Sequence, residues 1–298
     1  MLTDQLAREV KRLRFRTDRR VDDLFAGNYR SAFKGQGLEF ADVREYEPGD
    51  DVRSIDWNVT ARAGKPFIKR FVEERQLTVM LLVDVSASER FASGDRSKRR
   101  LGTEVASALA LAASRSRDRV GLMLFAESPE LFLAPRTGRP HLLHMMRELI
   151  AFEPRAGGTD LVGALDRCGS MLRRRAIVFV VSDFLSAAEG PDGYGPALRR
   201  LNARHDVIAI RLRDPREEDI PAVGLIRLRD PETGASRLVD LTRRSVRRHR
   251  REYAQRLAQS NQALARAGVD LAECRTDRPF LRELIGVFER RSRVGKVA

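Results

Sequence analysis

The sequence predicts an α/β protein built on a doubly wound, mostly parallel sheet, with a small amino-terminal β-rich unit and an inserted β-hairpin. Three observations predict it. Predominantly apolar runs at 77–83 (LTVMLLV), 119–125 (RVGLMLF), 176–181 (AIVFVV) and 206–212 (DVIAIRL) have the length and character of strands covered on both faces. Stretches with helical spacing at 98–115, 139–151 and 160–174 alternate with them, the order of a parallel sheet wrapped by helices. Asp84 and Asp183 each close such a run, at the carboxyl end where open α/β sheets build their ligand crevice.

Each element follows in turn. Residues 2–24 carry apolar positions at helical spacing (Leu2, Leu6, Val10, Leu13, Val21, Leu24) and read as an amphipathic arm. Residues 35–75 change character, with turn signals at 48–50 and 63–65 between strand-like runs, and form the β-rich unit. The division is therefore 1–76, arm plus small unit, and 77–298, the main domain. Within that domain 130–134 pairs beside 119–125 as a hairpin. A second hairpin, 225–229 with 236–240, flanks a Pro- and Gly-bearing turn at 230–234 and makes an insertion at about 212–241, either extending the sheet or projecting from it. An arginine-rich helix to about 266, a strand at 269–274 and a helix at 279–290 complete the sheet and its cover, and 290–298 frays.

Length and charge bound the class. At 298 residues the chain supports one large domain and a smaller one, and 42% hydrophobic with 33% charged residues describes a solvated globular surface. No run approaches the roughly 18 apolar residues of a membrane span, and the first residues lack a signal-peptide core, so a cytoplasmic protein without membrane insertion is expected. Cys168 and Cys274 then read as reduced and structural. The net charge of +14 rests on arginine, with only six lysines among 56 basic residues, a bias that codon composition alone can produce. Its densest cluster is Arg243, Arg244, Arg247, Arg248, Arg250 and Arg251, which suits nucleic acid or an acidic protein; only Tyr253 is there to stack on a base.

The chemistry-bearing stretch is Asp84-Val85-Ser86-Ala87-Ser88. A carboxylate and two hydroxyls at alternate positions of one loop suit a hard divalent cation, which takes oxygen ligands. The same residues also suit a helix cap. Gly157-Gly158-Thr159 before a helical run and Asp183 after the strand at 176–181 add a hydroxyl and a carboxylate, the glycines letting the Thr159 loop approach the sheet edge. This DxSxS, threonine, aspartate order resembles the metal-ion-dependent adhesion site of von Willebrand factor A domains, so the fold is expected to be von Willebrand A-like. The resemblance implies metal ligation by Ser86, Ser88 and Thr159, with Asp84 and Asp183 binding directly or through water. It also implies Mg²⁺, with Mn²⁺ or Ca²⁺ as substitutes, and a coordination position left for a partner's acidic side chain.

A second stretch narrows the resemblance. GLEFADVREYEPGDDVRSIDWNVTAR, followed by an ER before the DxSxS strand, resembles the signature of the domain of unknown function 58 family, over about 35–240. The resemblance implies an adaptor or co-chaperone of a MoxR-type AAA+ ATPase acting on a client protein, here in the branch without amino-terminal membrane helices. The acids of this stretch, Glu45, Glu47, Asp50, Asp51 and Asp56 beside Trp57, alternate with Arg44, Arg53, Arg62 and Arg70, which favours a polar network over a second metal site.

Catalytic signatures are lacking: no GxxxxGK[ST], HExxH, CxxC or GxSxG occurs. His141 and His144 have no placed partner for a zinc set and read as solvent-facing. Ser86 has no histidine near it in sequence to activate it. The expectation is a metal-dependent interaction module rather than an enzyme. The alternatives are a hydrolase using Asp84, Asp183 or the Asp50, Asp51 and Asp56 set, and a basic nucleic-acid binder.

Overall fold

The computed structural model describes residues 24–33, 38–73, 76–154, 158–185, 190–229 and 235–294. The amphipathic arm, apart from its last residue, and the turn at 230–234 lie outside them. Two compact units divide the chain, Phe33–Leu77 and the remainder. Among the described residues the first element of the larger unit is helix α1 (Leu24–Ala32).

The smaller unit pairs β1 (Leu38–Glu45) antiparallel with β2 (Phe67–Glu73). It is less purely β than its sequence predicts, because a one-turn 3-10 helix (Val52–Ser54) and helix α2 (Trp57–Ala63) lie between the strands. Asp56 caps α2, accepting from Asn58 N at 3.0 Å and Val59 N at 3.3 Å, and Gly64 ends it at φ +71°, where a side chain is disfavoured.

The larger unit continues with β3 (Thr78–Asp84), α3 (Lys98–Arg115), β4 (Arg119–Phe125), β5 (Pro129–Arg136), α4 (Arg139–Ala151) and α5 (Leu161–Met171). Then follow β6 (Ile177–Ser182), α6 (Gly190–Arg204), β7 (Asp206–Arg213), the four-residue α7 (Pro215–Glu218), β8 (Gly224–Arg229), β9 (Ser236–Leu241), α8 (Arg243–Arg266), β10 (Asp270–Arg275) and α9 (Leu281–Val294). The main sheet has the order β10-β7-β6-β3-β4-β5, parallel except for the edge strand β5. Alternate side chains face opposite layers. Met80, Leu82, Met123, Phe125, Val178 and Val180 pack with α5, α6 and the end of α8. On the other face Gly102 of α3 backs onto Val181 and Leu212, and Phe288 of α9 meets Phe179, Phe25 and Tyr29. The fold is doubly wound as expected. β3 is buried along nearly its whole length, and each such aliphatic side chain contributes about 1.5–3 kcal/mol.

Three elements add to or change the sequence reading. Helix α6, a stretch to which the sequence reading assigns no element, opens with the Gly- and Pro-rich run GPDGYGP. It is helical because Tyr194, Leu198 and Leu201 are anchored in the core, with the Tyr194 hydroxyl 2.7 Å from Ser260 Oγ. Of the two placements open for the β8–β9 hairpin, it does not extend the main sheet but forms its own two-stranded one, and its Leu225 and Leu238 are exposed. Residues 290–294, expected to fray, finish α9, where Arg291 pairs with Asp206 and Asp270. Among the described residues no helix is long and apolar enough to cross a membrane.

The close approach of β4 to its neighbours gives a test. A Cβ on Gly121 would stand 2.8 Å from Met80 Cε and 2.9 Å from both the Leu133 carbonyl oxygen and Pro135 Cγ. Gly121→Ala is expected to destabilise the protein by about 1–3 kcal/mol through overpacking. A urea unfolding midpoint equal to that of the wild type would refute this crowding.

Candidate metal centre

The centre is built at the carboxyl ends of β3 and β6. Val83 pairs with Val181, so Asp84 and Ser182 leave adjacent strands side by side, and Ser182 Oγ donates to Asp84 Oδ2 at 2.8 Å. Ser86 N donates to Asp84 Oδ1 at 2.9 Å, curling the chain back over the carboxylate. Ser86 then stands at the cap position of a 3-10 turn (Ala87–Arg90), but its hydroxyl makes no capping bond and lies 3.1 Å from Ser88 Oγ. The cap of α3 is Ser97 instead. The hydroxyls of the DxSxS loop are thus not committed to ending or starting a helix.

The threonine loop reaches the same edge. Phe125, opposite Asp84 on β4, accepts from Val85 N at 2.8 Å, and the next carbonyl, Ala126, accepts from Asp160 N at 2.8 Å. Asp160 caps α5 through Gly163 N at 2.8 Å, while Thr159 Oγ1 is buried with no hydrogen-bond partner among the described residues. A buried hydroxyl left unpaired carries a desolvation cost that a ligand can relieve. Gly157 lies outside the described residues. A Cβ on Gly158 would meet Glu127 only at ordinary contact distance, 3.7 Å, so the expected need for glycine there is not found.

Asp183 enters from β6, after which the chain turns sharply: Phe184 has φ +57°, the left-handed region rarely used by a bulky residue. Asp183 Oδ1 accepts from Leu185 N at 2.9 Å, and Oδ2 accepts from Lys98 Nζ at 2.8 Å. Lys98 also meets Glu217 Oε1 at 2.7 Å, and Glu89 Oε1 accepts from Asp183 N at 3.2 Å while its Oε2 has no partner among the described residues. Asp84, Glu89, Lys98 and Asp183 are all at most 3% exposed. Burial pushes the Asp84 carboxyl up to about 6, with the Asp183 charge adding to it. Burial likewise raises Glu89 well above its ordinary range, Lys98 opposing. Burial acts to lower the Lys98 pKa, but the charges of Glu89, Asp183 and Glu217 override it and hold the ammonium above the usual lysine range.

Asp84, Ser86, Ser88, Thr159 and Asp183 therefore arrive at one edge by adjacent strand ends and loops. Sequence reasoning missed Ser182, Glu89, Lys98 and Glu217. Lys98 left a signal, being one of six lysines in an arginine-rich chain. The donor set fits a hard divalent cation, combining hydroxyls with carboxylate oxygen. Among the described residues no group of three or more His, Cys, Asp or Glu side chains is placed to hold a metal, so a cation here would rest on the hydroxyls as well.

The other candidates disperse. In the smaller unit Asp50 pairs with Arg44 at 2.7 Å, Asp51 accepts from Arg53 N at 2.9 Å and Asp56 caps α2, so turns and caps occupy these acids. His141 is not solvent-facing: its Nε2 lies 2.7 Å from the Val120 carbonyl oxygen, and His144 stands beside Glu148. Tyr253 is buried, leaving the exposed arginines of α8 without it as a stacking platform. Cys168 and Cys274 are free and buried, and burial pushes both thiols up to about 12.

The sheet order and the antiparallel edge strand make the fold von Willebrand A-like, with acid- and hydroxyl-bearing loops at the ends of β3 and β6. The profile of a protein family of unknown function, DUF58, matches residues 42–263, and the chain belongs to that family. An uncharacterized protein of Mycobacterium tuberculosis, Rv1480, is 32% identical over 97% of this chain and 90% of its own length. Among solved structures, the conserved hypothetical protein BatB from Bacteroides thetaiotaomicron is similar in fold, with a TM-score of 0.51 at 15% identity, covering 73% of this chain and 99% of its own. An aerotolerance-related membrane protein from Bacteroides fragilis gives a TM-score of 0.51 at 16% identity with the same coverage.

The buried Asp84 gives a pH test. Its folded pKa lies above the unfolded value, so its contribution is full below about pH 4 and is lost as pH rises through about 6. Two pKa units correspond to about 3 kcal/mol at most. With EDTA present, Asp84→Asn is expected to be more stable than wild type at pH 7.5 and to flatten the decline between pH 4 and 6. Parallel urea-stability profiles for the two proteins would contradict this.

Proposed function

We propose that this protein is a divalent-metal-dependent protein-interaction module, serving as adaptor between a MoxR-type AAA+ ATPase and a client protein. The observation that carries the reading is the Asp84, Ser86, Ser88 and Thr159 set at one sheet edge, with the Thr159 hydroxyl buried and without a hydrogen-bond partner among the described residues. When bound, a divalent ion supplies a coordination position for an acidic side chain of a partner; Mg²⁺ suits these oxygen donors, as do Mn²⁺ and Ca²⁺.

The chain's own residues do the rest. Ser86 N and Ser182 Oγ fix both oxygens of Asp84, so the carboxylate presents one orientation. Ser86 and Ser88 hold their hydroxyls together and Thr159 offers a third. The rigid sheet beneath presents this set toward a partner. Ser86 Oγ lies against Ser88 Oγ, and among the described residues no histidine is bonded to it. The ATPase partnership is the expectation attached to family membership, and the metal-dependent contact is how it would be made.

The test is affinity capture from the native cell lysate with Mg²⁺ or EDTA, using wild type and Asp84→Ala side by side. An AAA+ ATPase is expected only with wild type and Mg²⁺, and Asp183→Ala is expected to lose it too while keeping a native circular dichroism spectrum. The same proteins recovered in all samples would sink the reading.

A further inference from the structure

The reading above leaves Lys98 without a role. Its ammonium is buried, 1% exposed, in a chain whose basic surface is almost entirely arginine. It occupies the first position of α3, where a helix amino terminus disfavours positive charge. Placing it there is costly unless the acids opposite require it. Those acids are Asp183 at 2.8 Å and Glu217 at 2.7 Å, with Glu89 held against the Asp183 amide. With Asp84 they make a cluster of four carboxyl groups, of which Asp183 and Glu217 bond the Lys98 ammonium directly, while Arg99 adds a second positive charge beside Glu89 and Asp84.

Asp183 is the point of overlap. It is one of the five residues of the candidate metal set, and its Oδ2 is bonded to Lys98. Two cations drawing on one carboxylate compete, and a fixed positive charge beside a divalent ion repels it in a medium that screens poorly. We infer that Lys98 is a tethered internal cation that competes for Asp183 and so sets the affinity and occupancy of the metal centre. It is a positioning residue, acting on the metal through Asp183. The inference rests on the metal-dependent reading above. It goes further by assigning the site a built-in competitor, which makes metal uptake weak by construction and dependent on whatever else the partner contributes. Glu217 is the other half of the arrangement: it shares the ammonium, and its carbonyl accepts from His249 of α8 (2.8 Å), placing the second anchor on the segment that leads to the hairpin and the arginine helix.

The experiment titrates Mn²⁺ alone into the purified full chain, reading free Mn²⁺ by electron paramagnetic resonance and the unfolding temperature with Mn²⁺ or EDTA. Wild type, Lys98→Met, the double variant Lys98→Met/Glu217→Gln and Asp84→Ala are compared. Lys98→Met strands two carboxylates and is expected to be less stable in EDTA, with Mn²⁺ restoring much of the loss. The double variant removes the ammonium together with one of its two acids, which limits the folding penalty, and is expected to bind Mn²⁺ at least tenfold more tightly than wild type. Mn²⁺ taken up by the double variant but not by wild type would support the inference and overturn the metal dependence of the proposed function. Uptake abolished in Asp84→Ala but equal or weaker without Lys98 would overturn this inference and leave the proposed function standing. No uptake by any of the four proteins would overturn both.

Discussion

A carboxylate at the end of a strand covered on both faces is the constraint from which this site follows. Asp84 continues β3 without a break, so the sheet that buries Val83 also takes Asp84 out of water. A buried carboxylate needs hydrogen bonds or a countercharge. Here one bond comes from its own loop, Ser86 N, and one from the neighbouring strand, Ser182 Oγ. The second is available only because β6 lies beside β3 in register, a non-local pairing across about a hundred residues. Sheet order and site chemistry are therefore one arrangement: a shift of β6 by one residue would turn Ser182 to the opposite face and leave Asp84 half served.

The same pairing brings the acids together. Once β6 delivers Asp183 beside Asp84, its charge adds to burial in raising the cost of ionising Asp84. Glu89 adds to that cost, and Lys98 offsets part of it. Breaking a buried pair by removing one partner is far costlier than never having built it. The cluster thus concentrates negative potential at one edge of a chain whose net charge is +14. The exposed arginines of α8 face solvent, and the described pairing among them is the loose Arg248–Glu252 contact at 3.8 Å.

Much of this was legible in the residue order because it is local. LTVMLLV and AIVFVV have only one plausible state, and the acids and hydroxyls that follow them mark strand ends that the structure confirms. What was not legible depends on distant partners. Helix α6 looks like a loop until Tyr194 is seen in the core beside Ser260, 66 residues on. Helix α2 was the opposite case, a missed local signal: Asp56 and Gly64 are a start and a stop with seven residues between them, hidden by the surrounding turns. Ser182, just past the run read as a strand, is not singled out in the sequence as a site residue, and neither is Glu217. No spacing rule connects Lys98 with Glu217; only the approach of α7 to the amino end of α3 does.

Why the base at this position is a lysine can be argued from a buried arginine elsewhere in the sheet. Arg211 lies fully buried on β7, and its guanidinium fans out to Asn261 Oδ1 at 2.5 Å, Glu273 Oε1 at 2.9 Å and Ser260 Oγ at 2.7 Å. Those acceptors come from α8 and β10, spread about a planar fork, which is what arginine matches. At the metal centre the acceptors converge. Asp183 Oδ2 and Glu217 Oε1 reach one point from two directions, and a compact ammonium with three rotatable donors satisfies them without widening the crevice. A guanidinium would also hold its charge permanently and its donors in a plane, requiring the carboxylates to move apart. The lysine concentrates a single charge where Asp183 Oδ2 and Glu217 Oε1 converge, on a carboxylate that the candidate metal set also uses.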